Sequence, residues 1–334
     1  MYAGTGRLIE MPSEIWSQEY WALKGDVKLY MWRKRLGDPT LDNTPKPILF
    51  LVHGSSFSGP TGFDLQVPGH PDYSLMDKFA SYGFDVWTLD HEGYGRSDST
   101  EGNSPISEGV IDLKAGMEVI IEETRQTEVA VYGSSSGALR AAAFAEAYPN
   151  HTKKLILDAF VWTGDGAPTL VERTKKLAQW TSSNLRPVDR DFFLSIFTRD
   201  KPGTSEDSVA RALADTELKL CNSVPTGTYV DMCSILPVCD PTKTTCPVLI
   251  IRGEHDGIAT EEDLLNYFKL LPTRDKQFVI IPGLAHVTFL GLNRARFWHV
   301  MKTFLFSPER VDICLLYTSP SPRDVEESRM PSSA

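Results

Sequence analysis

The sequence has few of the features that mark membrane, secreted or nucleic-acid-binding proteins. No apolar run reaches the length of about 18 residues that a membrane-spanning helix needs, and the N-terminal residues contain no apolar stretch typical of a signal peptide. An excess of basic residues is also absent. The formal net charge is -10, which argues against nucleic acid as a partner. We therefore expect a cytoplasmic protein, either monomeric or homodimeric.

Metal-binding cysteine pairs are missing as well. The chain has five cysteines, and four of them fall close together in the sequence: Cys221, Cys233, Cys239 and Cys246. None of their intervals is the C-x-x-C spacing that pinches a zinc ion, so we expect free thiols and no metal site. A disulfide within the group is the alternative, and it would require an oxidising compartment.

What the chain does contain is an alternation of short apolar runs with helix-period segments. This alternation predicts an α/β fold, with a mostly parallel central sheet covered by helices on both faces. An opening hairpin is predicted from 14–21 and 27–33, and helices at 75–82, 107–124 and 290–306. The buried strands are predicted at 47–53, 84–90, 128–132, 154–159, 247–252 and 277–282.

Residues 161–245 interrupt this alternation and predict a helical cap. Helices are predicted there at 169–184, 189–198 and 205–219. The core domain is then expected to comprise 1–160 and 246–310. Insertions of this size inside a domain are usually functional.

The last residues, 311–334, have no periodicity and no plausible core. Residues 314–324 read C-L-L-Y-T-S-P-S-P-R-D, which resembles a transposase sequencing adapter translated in one frame. This predicts an artificial end, joined or truncated near 308–313, and a metagenomic origin. An ordinary disordered terminus is the alternative.

One pentapeptide predicts a nucleophilic serine. Residues 133–137 read G-S-S-S-G, directly after the strand E-V-A-V-Y and before an alanine-rich helix. A strand–turn–helix G-x-S-x-G holds its serine hydroxyl exposed on a strained turn. Only Ser135 has a glycine two residues away on each side, so the pattern selects it over Ser134 and Ser136.

A serine hydroxyl needs a base to take its proton and an acid to orient the base. In hydrolases with this turn, the chain order is serine, acid, histidine. Asp256 follows the strand V-L-I-I-R, and His286 follows the strand Q-F-V-I-I-P. Both should therefore emerge at the same sheet edge as Ser135. Glu254, on the same loop as Asp256, is the alternative acid.

The oxyanion formed in acyl transfer needs two backbone N–H donors. The first should be the N–H of Ser136, the residue after the nucleophile. The second should come from the loop H-G-S-S-F-S-G after the first buried strand, with Ser55 as first choice and Ser56 as second. The His53 imidazole is interpreted as a structural support for this loop, not as a proton carrier.

Taken together, these motifs resemble the α/β-hydrolase superfamily over about residues 14–306. Residues 90–97, D-H-E-G-Y-G-R-S, resemble the family's segment after its fourth strand, and the insertion lies where the family carries its cap. Serine at the nucleophile position argues against dehalogenase and epoxide hydrolase chemistry. Esterase, lactonase, amidase and carbon–carbon hydrolase branches stay open, as does a non-catalytic receptor on this scaffold. The resemblance implies no metal and no organic cofactor.

We expect the chain to cleave carboxylic esters of medium size, hydrophobic or aromatic, through an acyl-enzyme and water. The cap is expected to set the substrate. Packing within the cap's own core is the alternative role for its aromatic residues. The predicted pocket residues are Ser56, Phe57, Trp162, Trp180, Phe193 and Phe197.

Overall fold

A computed structural model describes residues 14–309. The strands are β1 (Ile15–Lys24), β2 (Val27–Leu36), β3 (Ile48–Val52), β4 (Asp85–Leu89), β5 (Val129–Ser134), β6 (Thr152–Asp158), β7 (Leu185–Pro187), β8 (Ser223–Pro225), β9 (Val248–Gly253) and β10 (Lys276–Ile281). The helices are α1 (Gly59–Phe63), α2 (Leu75–Ser81), α3 (Ile106–Thr124), α4 (Ser136–Ala147), α5 (Pro168–Thr174), α6 (Leu177–Thr181), α7 (Arg190–Thr198), α8 (Asp207–Glu217), α9 (Gly227–Ser234), α10 (Glu261–Leu270) and α11 (Arg294–Leu305).

The central sheet has eight strands in the order β1-β2-β4-β3-β5-β6-β9-β10. From β4 to β10 all neighbours are parallel, and β2 pairs antiparallel with both β1 and β4. Every residue of β3, β5 and β9 is buried. Continuous apolar strands are expected when helices cover both faces of a sheet. The predicted α/β fold and its opening hairpin are confirmed.

Several helices differ from the sequence prediction. The single helix expected at 169–184 is wrong: the chain forms α5 and α6, separated by a turn at 175–176, and then enters β7. Helix α10 was not predicted, although its signals are present. The Thr260 hydroxyl accepts the N–H of Asp263, and three acidic residues occupy the first turn.

The chain between β6 and β9, here called the 159–247 segment, carries α5 to α9 and the antiparallel β7–β8 ribbon. Its four cysteines are free thiols: Cys221, Cys233, Cys239 and Cys246. Cys314 and the predicted adapter-like residues lie outside the described part of the chain. Within residues 14–309, no helix is both long and apolar enough to cross a membrane.

Helix α4 lies unusually close to the sheet at the turn that follows β5. A Cβ at Gly133 would lie 2.6 Å from the carbonyl carbon of Gly137, and a Cβ at Gly137 would lie 2.5 Å from the carbonyl oxygen of His53. Both neighbours are backbone atoms, which cannot move aside as a side chain could. The two glycines are therefore required by close approach.

This contact predicts a large stability loss for Gly137→Ala. The added methyl group forces α4 away from the end of β3, and we expect a loss of about 3 kcal/mol in the free energy of unfolding, as for other overpacked sites. Urea unfolding followed by circular dichroism measures it. Gly102→Ala is the control, because its Cβ would meet only the flexible side chains of Thr100 and Glu92 within 4 Å. Equal losses in the two variants would contradict the close-approach argument.

Candidate active site

Ser135 stands on the turn between β5 and α4 in a left-handed conformation, with φ 59° and ψ -126°. Such a backbone is strained for a residue with a side chain, and it persists only where the surroundings hold it. The Ser135 N–H donates to the carbonyl oxygen of Asp158 at 2.9 Å. The neighbouring strand β6 therefore fixes the turn that presents the hydroxyl.

Three side chains form a continuous hydrogen-bonded relay at this edge of the sheet. The Ser135 Oγ lies 2.9 Å from His286 Nε2, and His286 Nδ1 lies 2.9 Å from Asp256 Oδ1. Because a carboxylate can only accept, Nδ1 carries the proton and Nε2 is free to accept from the serine. Asp256 and His286 are both buried, and Asp256 Oδ1 also accepts the N–H of Ile258.

The alternatives left open by the sequence occupy other positions. The Ser136 hydroxyl is hydrogen-bonded to the Ser55 hydroxyl at 2.5 Å. Glu254 is exposed, and its carboxylate accepts the N–H of Gly283. The structure therefore brings Ser135, and not Ser136, to the histidine, and Asp256, and not Glu254, to its other nitrogen.

A second carboxylate, that of Asp200, lies near this relay. One ligand atom each from Asp200, Asp256 and His286 lies within 4.8 Å of the others, a spacing that could suit a metal ion. Asp200, however, forms a bidentate ion pair with Arg199, with both N–O distances at 2.9 Å. Despite burial, these hydrogen bonds lower the pKa of the Asp200 carboxyl. The side chains of Asp200, Asp256 and His286 therefore all have hydrogen-bond partners within the protein.

The two predicted oxyanion donors flank the serine. A Cβ at Gly54 would lie 3.1 Å from Ser135 Cβ, so the loop after β3 passes directly beside the nucleophilic turn. Among residues 14–309, neither the N–H of Ser55 nor that of Ser136 has a protein acceptor. Both groups are buried beside the relay and free to donate to a ligand.

The loop of residues 53–59, here called the oxyanion loop, is held by three buried side chains. Arg186 donates to the Ser55 carbonyl oxygen at 2.8 Å. The Glu217 carboxylate accepts from the N–H and the hydroxyl of Ser58, at 3.1 and 3.0 Å. Asp90 accepts the N–H of Gly59 at 2.9 Å. Two of these three side chains belong to the 159–247 segment, which therefore helps to shape the site.

His53 supports the oxyanion loop, as the sequence indicated. Its Nδ1 donates to the carbonyl oxygen of Gly54 at 2.8 Å, and its Nε2 accepts the N–H of His91 at 3.0 Å. Burial lowers the pKa of the His53 imidazole well below its ordinary value. The ring is therefore neutral, and both of its nitrogens are hydrogen-bonded to backbone groups.

A narrow cavity opens onto the Ser135 hydroxyl, and two of the predicted pocket residues, Ser56 and Phe57, line it. The cavity walls combine apolar side chains with two arginines that were not predicted from the sequence. The apolar part comprises Phe57, Phe63, Ile196, Val287 and Phe289, and the arginines are Arg173 and Arg199.

The other predicted pocket aromatics lie elsewhere. Phe193 and Phe197 are buried in a hydrophobic core of the protein. Trp162 stacks edge-on against Tyr267, and its Nε1 donates to the Cys239 carbonyl oxygen. Trp180 lines a wider outer groove that adjoins the cavity. Aromatic residues fill the interior of a fold as readily as they line a pocket, so their presence in the sequence could not separate the two roles.

Asp158 is a further buried acid that sequence reasoning missed. It is the last residue of β6 and accepts hydrogen bonds from Tyr132 Oη at 2.7 Å and Thr288 Oγ1 at 2.5 Å. Burial raises the pKa of its carboxyl to about 7. Asp158 thus holds the loop of His286 through its side chain and the Ser135 turn through its backbone. The sequence feature that could have identified Asp158 is its position at the carboxyl end of a buried strand.

The raised pKa of Asp158 predicts how Asp158→Asn changes stability with pH. Between pH 4 and 7 the unfolded chain releases this proton while the folded protein keeps it, so wild-type stability falls as pH rises through this window. Asparagine does not titrate. As the pH rises through this window, the free energy of unfolding of the variant should increase relative to that of wild type by up to about 1.4 kcal/mol per pH unit. Urea unfolding at pH 5 and pH 7 measures this, with Asp26→Asn in the exposed β1–β2 turn as control. A pH-independent difference would contradict it.

Comparison with solved structures finds this architecture in several hydrolases. E-2-(acetamidomethylene)succinate hydrolase aligns with a TM-score of 0.64 at 18% identity, covering 87% of this chain and 100% of that one. A thermophilic esterase from Thermogutta terrifontis aligns at 0.60 and 20% identity, covering 86% and 98%. A carboxylesterase from Bacillus subtilis aligns at 0.60 and 14% identity, covering 88% and 93%. At these identities the likeness concerns the fold.

Curated protein sequences give no match to this chain. A family model does match: that of the family described as serine aminopeptidase, S33, aligns with residues 72–292, more than half of the chain. The matched range includes the Ser135 turn and the loops of Asp256 and His286. The chain belongs to this family of the α/β-hydrolase superfamily.

Proposed function

We propose that the protein is a serine hydrolase that cleaves carboxylic esters through an acyl-enzyme, with Ser135, His286 and Asp256 as its catalytic triad. The observation that carries this proposal is the relay of two 2.9 Å hydrogen bonds that joins the three side chains. The strained backbone of Ser135 supports it further, because strain of this kind concentrates at functional sites.

In the proposed reaction, Ser135 Oγ attacks the acyl carbon while His286 Nε2 takes its proton. Asp256 holds the imidazole in the required tautomer and stabilises its protonated form. The N–H groups of Ser55 and Ser136 bind the oxyanion that develops on the acyl oxygen. His286 then returns the proton to the departing alcohol. In the second half of the reaction, His286 takes a proton from a water molecule, the water attacks the acyl carbon, and Ser135 leaves with the proton from His286.

The family description raises aminopeptidase activity as a second candidate. An aminopeptidase binds the free ammonium group of a peptide close to the scissile bond, and a carboxylate normally pairs with such a group. The cavity at Ser135 instead carries the guanidinium groups of Arg173 and Arg199, and like charges repel. We therefore favour an ester. The apolar wall of the cavity fits the medium-sized hydrophobic acyl group expected from the sequence.

Lactone, amide and carbon–carbon hydrolysis use the same triad, and a screen can separate them. We expect turnover of p-nitrophenyl esters of medium chain length, slower release from aminoacyl p-nitroanilides, and no cleavage of a vinylogous diketone. Preference for the diketone would favour the carbon–carbon branch.

The triad predicts that Ser135 alone reacts with a fluorophosphonate probe. The probe forms a phosphonyl ester on an activated serine with loss of fluoride, and tandem mass spectrometry of the labelled peptide distinguishes the three adjacent serines. Ser135→Ala should lose both labelling and ester hydrolysis, because no other hydroxyl among residues 14–309 is hydrogen-bonded to His286 Nε2. Ser81→Ala, an exposed serine of α2, is the matched control. An unlabelled wild-type protein would favour a non-catalytic receptor.

The geometry also predicts unequal effects at the two acids. Asp256→Asn should lower kcat about 10⁴-fold, because an amide can hold the imidazole in the wrong tautomer. Glu254→Gln should change kcat less than about threefold, because the amide oxygen can still accept the Gly283 N–H and leaves the relay intact. Steady-state kinetics with a p-nitrophenyl ester measure both. A larger loss in the Glu254 variant would reverse the assignment of the acid.

A further inference from the structure

Three arginines from different elements converge beside the cavity at Ser135. Arg173 belongs to α5, Arg186 to β7, and Arg199 follows the end of α7. Arg173 and Arg199 line the cavity, and Arg186 lies behind it, bonded to the Ser55 carbonyl oxygen. This cluster stands out in a chain of formal net charge -10.

In the part of the chain that the structure describes, two of these guanidinium groups have no acidic partner. Arg199 is paired with Asp200, but within residues 14–309 no carboxylate lies within 4 Å of Arg173 or Arg186. Arg186 is engaged by the oxyanion loop. Partial burial lowers the pKa of the Arg173 guanidinium, which reflects the cost of removing part of its surface from water. A half-buried guanidinium without an acidic partner is suited to bind an anionic ligand.

Tyr229 of α9 contacts both unpaired arginines, and their charge affects the pKa of its phenol. Its ring centroid lies 4.3 Å from Cζ of Arg173 and 4.2 Å from Cζ of Arg186, within the range of cation–π contacts. Burial by itself raises the pKa of this phenol, yet Arg173 and Arg186 lower it to about 8. The surroundings of Tyr229 therefore have a strongly positive potential.

Arg173 lies between the cavity at Ser135 and the groove outside it. Together with Ile196 and Arg199 it borders both the narrow cavity at Ser135 and the wider outer groove. The other wall of the cavity is apolar, with Phe63, Val287 and Phe289. A molecule that reaches Ser135 thus meets an apolar surface on one side and an uncompensated guanidinium on the other.

We propose that the substrate is an anionic ester, with an apolar body against the phenylalanine wall and a carboxylate bound by Arg173. This inference rests on the proposed function for the ester bond, whereas the carboxylate site rests on the arginine cluster alone. Arg199, already paired with Asp200, adds positive potential at the same entrance. The guanidinium fork matches a carboxylate in shape and donates two parallel hydrogen bonds to it.

The test compares two esters of equal length. Mono-p-nitrophenyl adipate carries a terminal carboxylate, and p-nitrophenyl hexanoate is its uncharged counterpart. In the wild-type protein we expect kcat/KM to be at least about tenfold higher for the adipate ester, and this ratio should fall with added salt. Arg173→Gln should lower the ratio at least about tenfold. Arg173→Lys should restore part of it.

Arg211→Gln is the matched control, since Arg211 is an exposed residue of α8 that pairs with Asp207; it should leave the ratio unchanged. Binding is measured separately from catalysis by thermal unfolding with adipate dianion, which should raise the Tm of wild type and not of Arg173→Gln. Equal ratios and equal Tm shifts in the two proteins would overturn the carboxylate site. If the wild-type protein is not labelled by the fluorophosphonate but adipate still raises its Tm, the ester function is overturned and the carboxylate site is supported.

Discussion

The hydrogen bond from the Ser135 N–H to the Asp158 carbonyl oxygen is the contact on which the site depends. The left-handed backbone of Ser135 is unfavourable by about 1–3 kcal/mol, and only neighbouring structure can hold it. Strand β6 supplies that restraint, and the same residue anchors Thr288 beside His286 through its side chain. One position thus sets the nucleophile and the base relative to each other, before any substrate binds.

A second constraint acts on the oxyanion loop, which the sheet alone does not fix. Arg186 and Glu217 reach it from the 159–247 segment, and Asp90 reaches it from the end of β4. Burial raises the pKa of the Glu217 and Asp90 carboxyls, the latter to about 7. Because these groups bind loop N–H donors, movement of the segment would also move the proposed oxyanion donors. The position of the segment and that of the proposed oxyanion donors are therefore physically connected.

The segment also gives the site its electrostatic character. The sheet contributes a serine, a histidine and an aspartate, a set that serves many acyl-transfer reactions. The two arginines that line the cavity come from α5 and the end of α7, with Arg186 of β7 behind them, and the cavity also has an apolar wall. In the proposed function, selectivity and chemistry are thus assigned to different parts of the chain, which meet at the cavity.

The sequence by itself determined the sheet and the three residues brought to its edge. Strand–turn–helix patterning is local, and parallel strands end at one edge, so Ser135, Asp256 and His286 could be placed together without a structure. Only the tertiary structure decided the cavity. Arg173, Arg186 and Arg199 lie in or next to three different elements and Tyr229 lies in a fourth, so no pattern within one helix or strand groups them. Phe193 and Phe197, expected in the pocket, pack inward instead, because composition does not reveal which side of a short helix faces a cavity.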